Sequence, residues 1–232
     1  MEKTKQEVVD EIASLWAPMT NAQKNLLALN TEIKQYTRGD LIYQDQAEPE
    51  RMMYVVEGKA KIYKDGIAEG CRRQILRIVK PKEFFAYRAY FAHEHYKTSS
   101  VAIEPTTIAL ITPEAIEKLA MKNTNVSMFF IRHLAKVLGH SDARIVNLTQ
   151  KHIRGRLAEA LLALKDEYGQ EEGNDTLCLR MSREDLACYS NMTTSNAIRT
   201  LSAFADEGLL QVNGRKIKIL NEKELSNISM MG

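Results

Sequence analysis

The chain has 232 residues, 44% hydrophobic and 27% charged, which suits one large or two modest globular domains and excludes a disordered chain. No stretch approaches the roughly 18 uncharged apolar residues of a membrane helix. A formal net charge of +2, and 11 Lys+Arg against 12 Asp+Glu in residues 149–232, give no bulk electrostatic signal for nucleic acid, so any such partner must be read from local placement.

The N-terminus, MEKTKQEVVDEIASLW, mixes acids and bases and lacks the apolar core of a signal peptide, which fits a cytoplasmic protein. Residues 5–30 read as helical, with a break at Pro18 and a fresh start at Thr20-Asn21. From 33 to 112 the pattern changes to short runs rich in Val, Ile, Tyr and Thr: EIKQYT, LIYQ, MMYVVEG, KAKIYK, RRQILRIV, SSVAIE and TTIALIT. Turn residues at Gly39-Asp40, Gly58, Asp65-Gly66 and Pro81 separate them, predicting an antiparallel barrel or sandwich.

After this β region, PEAIEKLAMKN predicts a short helix. A longer one follows, with Ile131, Leu134, Leu138, Ser141, Ile145 and Leu148 spaced 3, 4, 3, 4, 3. So narrow a seam suits a helix paired with its own copy better than one lying on a broad core; the alternative is that the stripe packs on the barrel. A break near Thr149 precedes the helix HIRGRLAEALLALKDEYG, then a polar loop, GQEEGND, and a short strand, TLCLRM. The cysteines Cys71, Cys178 and Cys188 are odd in number and widely spaced, against a disulfide framework, a zinc site or a four-thiolate cluster.

The most informative stretch is MSREDLACYSNMTTSNAIRTLSAFADEGLL. Ser182 ahead of Glu184 and Asp185 is an N-cap signal for a two-turn helix. Asn191-Met192 reads as a tight turn, Thr193 or Thr194 as the cap of a second helix reaching Glu207, and Gly208 as its left-handed stop. Two helices joined this way form a helix-turn-helix, whose second helix enters the DNA major groove. Thr193, Thr194, Ser195 and Asn196 are short and hydrogen-bonding, and Arg199 lies one turn on from Ser195 to reach guanine or phosphate. Ala197, Ile198, Leu201 and Phe204 are the expected buried face. A hairpin at Asn213-Gly214 follows, with Arg215, Lys216 and Lys218 placed to touch phosphate as a wing. The same pattern also fits a helical hairpin of an all-α module with solvated basic residues.

These parts resemble the CRP/FNR superfamily, the cyclic-AMP receptor protein and its relatives. YTRGDLIYQDQAEPERMMYVVEGKAKIY is similar to the family's β-roll, LAKVLGHSDARIVNL to its dimer helix, and SREDLACYSNMTTSNAIRTLSAFADEGLL to its winged helix-turn-helix. The resemblance implies an α+β chain: an antiparallel β-roll sensor over 1–122, a dimerisation helix and hinge over 123–149, and a winged helix-turn-helix over 150–232. It implies a homodimer on double-stranded DNA, controlled by a small effector, with RNA polymerase as a candidate partner and no membrane.

The departures narrow the effector. Where cyclic-AMP-binding members carry a Gly-Glu pair and a later arginine, this chain has Ala86-Tyr87 and Lys97. Tyr87 cannot accept from two ribose hydroxyls as a carboxylate does, and Lys97 cannot form a bidentate phosphate fork. On the dimer helix the family's Thr-Ser is Ser141-Asp142, which adds a carboxylate. An effector other than cyclic AMP is therefore expected, in a pocket of Phe85, Ala86, Tyr87, Arg88, Lys97, Thr98, Ser141 and Asp142. The N-terminal cysteine cluster of the iron–sulfur members is missing. For haem the candidate ligands are His93, His95, His133 and His140, the last two at outer positions of the heptad helix. Thr194 and Ser195 stand where relatives reading a G-rich half-site have Arg and Glu, so a different operator is expected. The rival from another class is a cupin-type metalloenzyme using His93 and His95, but matching ligands on later strands are not apparent, and no enzyme activity is expected.

Overall fold

Two capping boxes open the chain: Thr4 with Glu7 and Thr20 with Gln23 each exchange side-chain and backbone hydrogen bonds, starting α1 (Lys5–Leu15) and α2 (Asn21–Leu29). The computed structural model describes residues 3–66 and 73–231, so Cys71 and the first residue of RRQILRIV lie outside the described residues. The chain divides into two compact units, one drawn from Met1–Asp65 and Ile75–Leu138, the other from Gly66–Gln74 and Gly139–Gly232.

The first unit is a roll of two four-stranded antiparallel sheets. Its strands are β1 (Thr31–Tyr36), β2 (Leu41–Tyr43), β3 (Met52–Glu57), β4 (Ala60–Lys64), β5 (Gln74–Val79), β6 (Phe84–Phe85), β7 (Ser99–Ala102) and β8 (Thr106–Ile111). They run in the orders β1-β8-β3-β6 and β2-β7-β4-β5. Strand periodicity sorts the core into two clusters. Met52, Tyr54 and Val56 of β3 pack under the helices with Trp16, Phe84 and Phe130, whereas Met53 and Val55 face the roll interior with Tyr43, Phe85 and Tyr96. Both faces of β3 are thus covered, which is why MMYVV is continuously apolar. Gly58 (φ +78°) turns β3 into β4 against Pro105; a Cβ there would lie 2.2 Å from the Pro105 carbonyl oxygen.

A short helix that the sequence pattern did not announce, α3 (Tyr87–Phe91), follows β6 from a left-handed Ala86 (φ +64°). Pro113 sits in the first turn of α4 (Pro113–Lys122), and α5 (Thr124–Gln150) runs on from the first unit into the second.

The second unit holds α6 (Ile153–Tyr168), β9 (Gln170–Glu171), β10 (Asn174–Leu177), α7 (Arg183–Tyr189), α8 (Thr194–Asp206), β11 (Leu210–Asn213), β12 (Lys216–Ile219) and α9 (Glu222–Met231), with sheet order β11-β12-β10-β9. Three expectations change here. GQEEGND is a small hairpin rather than a loop, because Gly173 (φ +69°) lets β9 turn back on β10, and the strand expected over TLCLRM ends at Leu177. The turn of β11–β12 falls on Gly214-Arg215, since Asn213 still pairs with Lys216; Gly214 (φ +56°) takes the first central position. Finally, α9 was not foreseen. Among the described residues no helix is long and apolar enough to cross a membrane.

Candidate nucleic-acid interface

Ser182 caps α7 by accepting from the Asp185 amide at 3.0 Å, and its hydroxyl donates to the Asp185 carboxylate at 2.9 Å. Asn191, in the left-handed region (φ +51°), turns the chain, and Met192 is buried beneath the turn. Thr193, not Thr194, caps α8, accepting from the Asn196 amide at 3.1 Å; Thr194 is the first helical residue. The stop at Gly208 (φ +72°) is as expected.

Ala197, Leu201 and Phe204 form the buried face of α8. Ile198 does not join them. It is 47% exposed, and the fourth buried position is Thr200. At about 100° per residue, Ser195, Arg199 and Ser202 share the outer face, with Ile198 at its edge. Sequence reasoning missed Ile198 and Ser202 because it weighed residue type above helical phase. Arg199 is held over this face by the Asn196 side-chain carbonyl, to which its Nη2 donates at 3.0 Å. A fork-shaped donor, two hydroxyls and a branched apolar group suit base edges and thymine methyls.

The C-terminal end of α8 and the start of α7 are braced. Arg154 of α6 makes a two-pronged ion pair with Glu207 (2.8 and 2.6 Å) and lies 4.8 Å over the Phe204 ring. Arg183 at the start of α7 donates to the Gly214 carbonyl at 2.6 Å, tying the helix-turn-helix to the β11–β12 turn. Arg215 and Lys216 project from that turn, exposed; Lys218, half-exposed, lies 3.9 Å from Asp175. The residues named from sequence therefore form one continuous surface from Thr193 to Arg199, with Arg215 and Lys216 on the adjoining turn, while Ser182 serves as a cap.

Along α5, Ile131, Leu138 and Ile145 are 56%, 63% and 60% exposed, and Ser141 is exposed between them. Leu134 and Leu148 are half-buried, Leu134 against the first unit's core. Only Val126 and Phe130 of α5 are fully buried among the described side chains.

The expected effector residues scatter. Phe85 lies in the roll interior with Ala86 packed beside it, and Thr98 shares a 3.2 Å hydrogen bond with the Tyr43 hydroxyl. Tyr43 stacks on Tyr96 at 4.2 Å, and burial pushes its hydroxyl up to about 12. Tyr87 turns away from this interior into the cluster beneath the helices, 5.4 Å from the Phe130 ring. Arg88 is exposed, and Lys97 pairs with Glu94 at 2.9 Å. Ser141 and Asp142 are exposed on the second unit's part of α5.

The histidines correct one expectation. His140 is exposed, but His133 is half-buried, stacked on Phe129 (5.9 Å) and edge-on to Tyr87 (5.5 Å). Burial, then the Arg77 charge, holds its imidazole below the usual range, against the opposing pull of Glu83. His93 and His95 lie in the exposed loop after α3, off the strands. Among the described residues no three His, Cys, Asp or Glu come together as a metal site.

A sensor-like β-roll, a long helix and a braced helix-turn-helix with a wing define a DNA-binding transcription regulator. Family profiles agree: that of the cyclic nucleotide-binding domain matches residues 33–123, and that of the Crp-like helix-turn-helix domain matches 155–228. The chain is 21% identical over 222 residues to the CRP-like cAMP-activated global transcriptional regulator of Mycobacterium tuberculosis, covering 94% of this chain and 98% of that one. It is 23% identical over 222 residues to the fumarate and nitrate reduction regulatory protein of Escherichia coli, covering 94% and 88%. The solved structure of FixK2 from Bradyrhizobium japonicum superposes with a TM-score of 0.76 at 25% identity, covering 85% of this chain and 96% of that one. The chain belongs to the CRP/FNR superfamily of transcription regulators. These relatives are regulators rather than enzymes, which leaves the cupin reading of His93 and His95 without support.

Proposed function

We propose that two copies of the chain pair along α5 and present their α8 helices to successive major grooves of double-stranded DNA as a sequence-specific cytoplasmic regulator. Half-sites about 34 Å apart would match such a pair. The observation that carries this reading is the exposed stripe of Ile131, Leu138 and Ile145, one residue per heptad on a helix that leads into the DNA-binding unit. A large apolar side chain repeated every seventh residue in water favours a partner helix with the same repeat. In this reading residues 1–122 act as the sensor, 123–149 as the dimer helix and hinge, and 150–232 as the DNA-binding part.

The effector is a small molecule other than cyclic AMP. Two features support this: Tyr87 is buried away from the roll interior where relatives place a ribose-binding carboxylate, and Lys97 is engaged by Glu94. Its differential affinity for two dimer states would set DNA binding, and RNA polymerase is the further partner at the promoter.

Light scattering of the wild type and of Leu138→Arg, with anisotropy titrations of the chain's own upstream DNA, tests the proposal. The wild type should be dimeric and bind the fragment specifically; the variant should be monomeric and lose specific binding. A monomeric wild type that still binds specifically would overturn it.

A further inference from the structure

A shallow groove of about 320 Å3 opens on the first unit, between the end of α1 and the first half of α5. Its size lies at the small end of ligand sites. Leu15, Ala17 and Phe129 make it apolar on one side; Arg132 and Lys136, with His133 between them, make it basic on the other. Among the described residues no carboxylate lines it. Arg132 and Lys136 form no ion pair among the described residues, and His133 Nε2 is buried without a hydrogen-bond partner. Beside His133 lie Arg77 and Glu83, joined to each other at 3.0 Å.

The framework of the groove is fixed. Asn125, at one end, donates to the Ala17 carbonyl at 2.7 Å, and Phe129 is locked edge-on between Trp16 (6.1 Å) and Phe130 (5.3 Å). At about 100° per residue, Asn125, Phe129, Arg132, His133 and Lys136 share the face of α5 opposite to Ile131, Leu138 and Ile145. Pairing along that stripe therefore leaves the groove open.

We propose that this groove binds a small organic carboxylate with a flat apolar body. The carboxylate meets Arg132 and Lys136, and the body lies against Phe129 and Leu15. Unpaired cations beside a half-buried ring match neither a neutral apolar ligand nor a fully hydrated inorganic anion, since each would satisfy one wall only. The site lies outside the roll interior, and its test reads binding alone, so it stands or falls apart from the DNA reading.

Trp16 is the single tryptophan, fully buried between two groove residues in sequence and touching a third, so its emission reports occupancy. Full-length protein titrated with benzoate should give a saturable change in Trp16 emission, with Kd on the order of 1 mM, and matching heat by calorimetry. Benzyl alcohol and sulfate should give none. Arg132→Gln/Lys136→Gln, altering exposed side chains, should keep the wild-type melting curve yet weaken benzoate about tenfold or more. No saturable response to benzoate, equal affinity in the double variant, or equally tight binding of benzyl alcohol would each overturn the proposal.

Discussion

Arg144 of α5 lays its guanidinium 4.2 Å over the Tyr189 ring and donates from Nη2 to the Tyr189 carbonyl at 2.6 Å. Tyr189 ends α7, so a cation on the long helix satisfies the last carbonyl of the first helix of the DNA-binding motif, where the helix dipole favours positive charge. One side chain thereby couples the direction of α5 to the seat of α7 within the second unit.

Arg144→Met should therefore destabilise that unit by about 2 kcal/mol, combining a charged hydrogen bond with the stacked cation. Arg144→Lys should recover less than half, since an ammonium keeps the charge but not the planar stack. Calorimetric melting of both variants checks this; an Arg144→Lys variant as stable as the wild type would show that charge alone matters.

At the recognition surface, Arg199→Ala should weaken binding to the preferred site by about 1–3 kcal/mol while leaving the melting temperature within a degree or so. Anisotropy titrations against specific and scrambled duplexes separate two roles. A base contact lowers specific binding only, whereas a phosphate contact weakens both and reduces the salt slope by about one.

Glu159 of α6 accepts from Ser229 (2.5 Å), Lys151 (3.0 Å) and Asn147 (3.2 Å). Burial alone would raise its carboxyl, but hydrogen bonds from Ser229 and Lys151, with the lysine charge, hold it below 4.5. A carboxylate depressed in the fold contributes stability above its unfolded value, lost as pH falls through the folded value. Glu159→Gln should cost about 1 kcal/mol at pH 7, after allowance for its partial exposure, and progressively less below pH 4.5. Melting curves of both proteins across that range test the sign.

Gly58→Ala places a methyl 2.2 Å from the Pro105 carbonyl oxygen at φ +78°, where backbone rather than a flexible side chain must yield. The expected cost is roughly 2–4 kcal/mol, seen as a lower urea midpoint of Trp16 fluorescence. A change within about 0.5 kcal/mol would mean the turn relaxes freely.

Local signals carried most of the DNA-binding motif: Ser182 and Thr193 cap helices through their hydroxyls, Gly208 ends one through its left-handed backbone, and the heptad repeat marked the exposed stripe of α5. Phase and partner were harder. Its apolar side chain points Ile198 inward by residue type, yet Thr200 occupies the buried position by angle. His133 lies off the heptad seam, but off the seam here means against Phe129 and Tyr87, not water. Helix α9 buries Leu225 and Ser229 among its described side chains, too few apolar positions to produce a periodic signal. Pairing with Lys216 carried β11 through Asn213, one residue further than the Asn-Gly rule suggests.

Trp16, Phe84, Phe129, Phe130, Tyr87 and His133 touch ring to ring at 5.3–6.1 Å, spanning the end of α1, strand β6, the start of α3 and the first turns of α5. Interlocked plates of this kind resist sliding and have few alternative registers. Any twist of α5 against the roll must then proceed as a click between seated arrangements, turning a graded push into an all-or-none response.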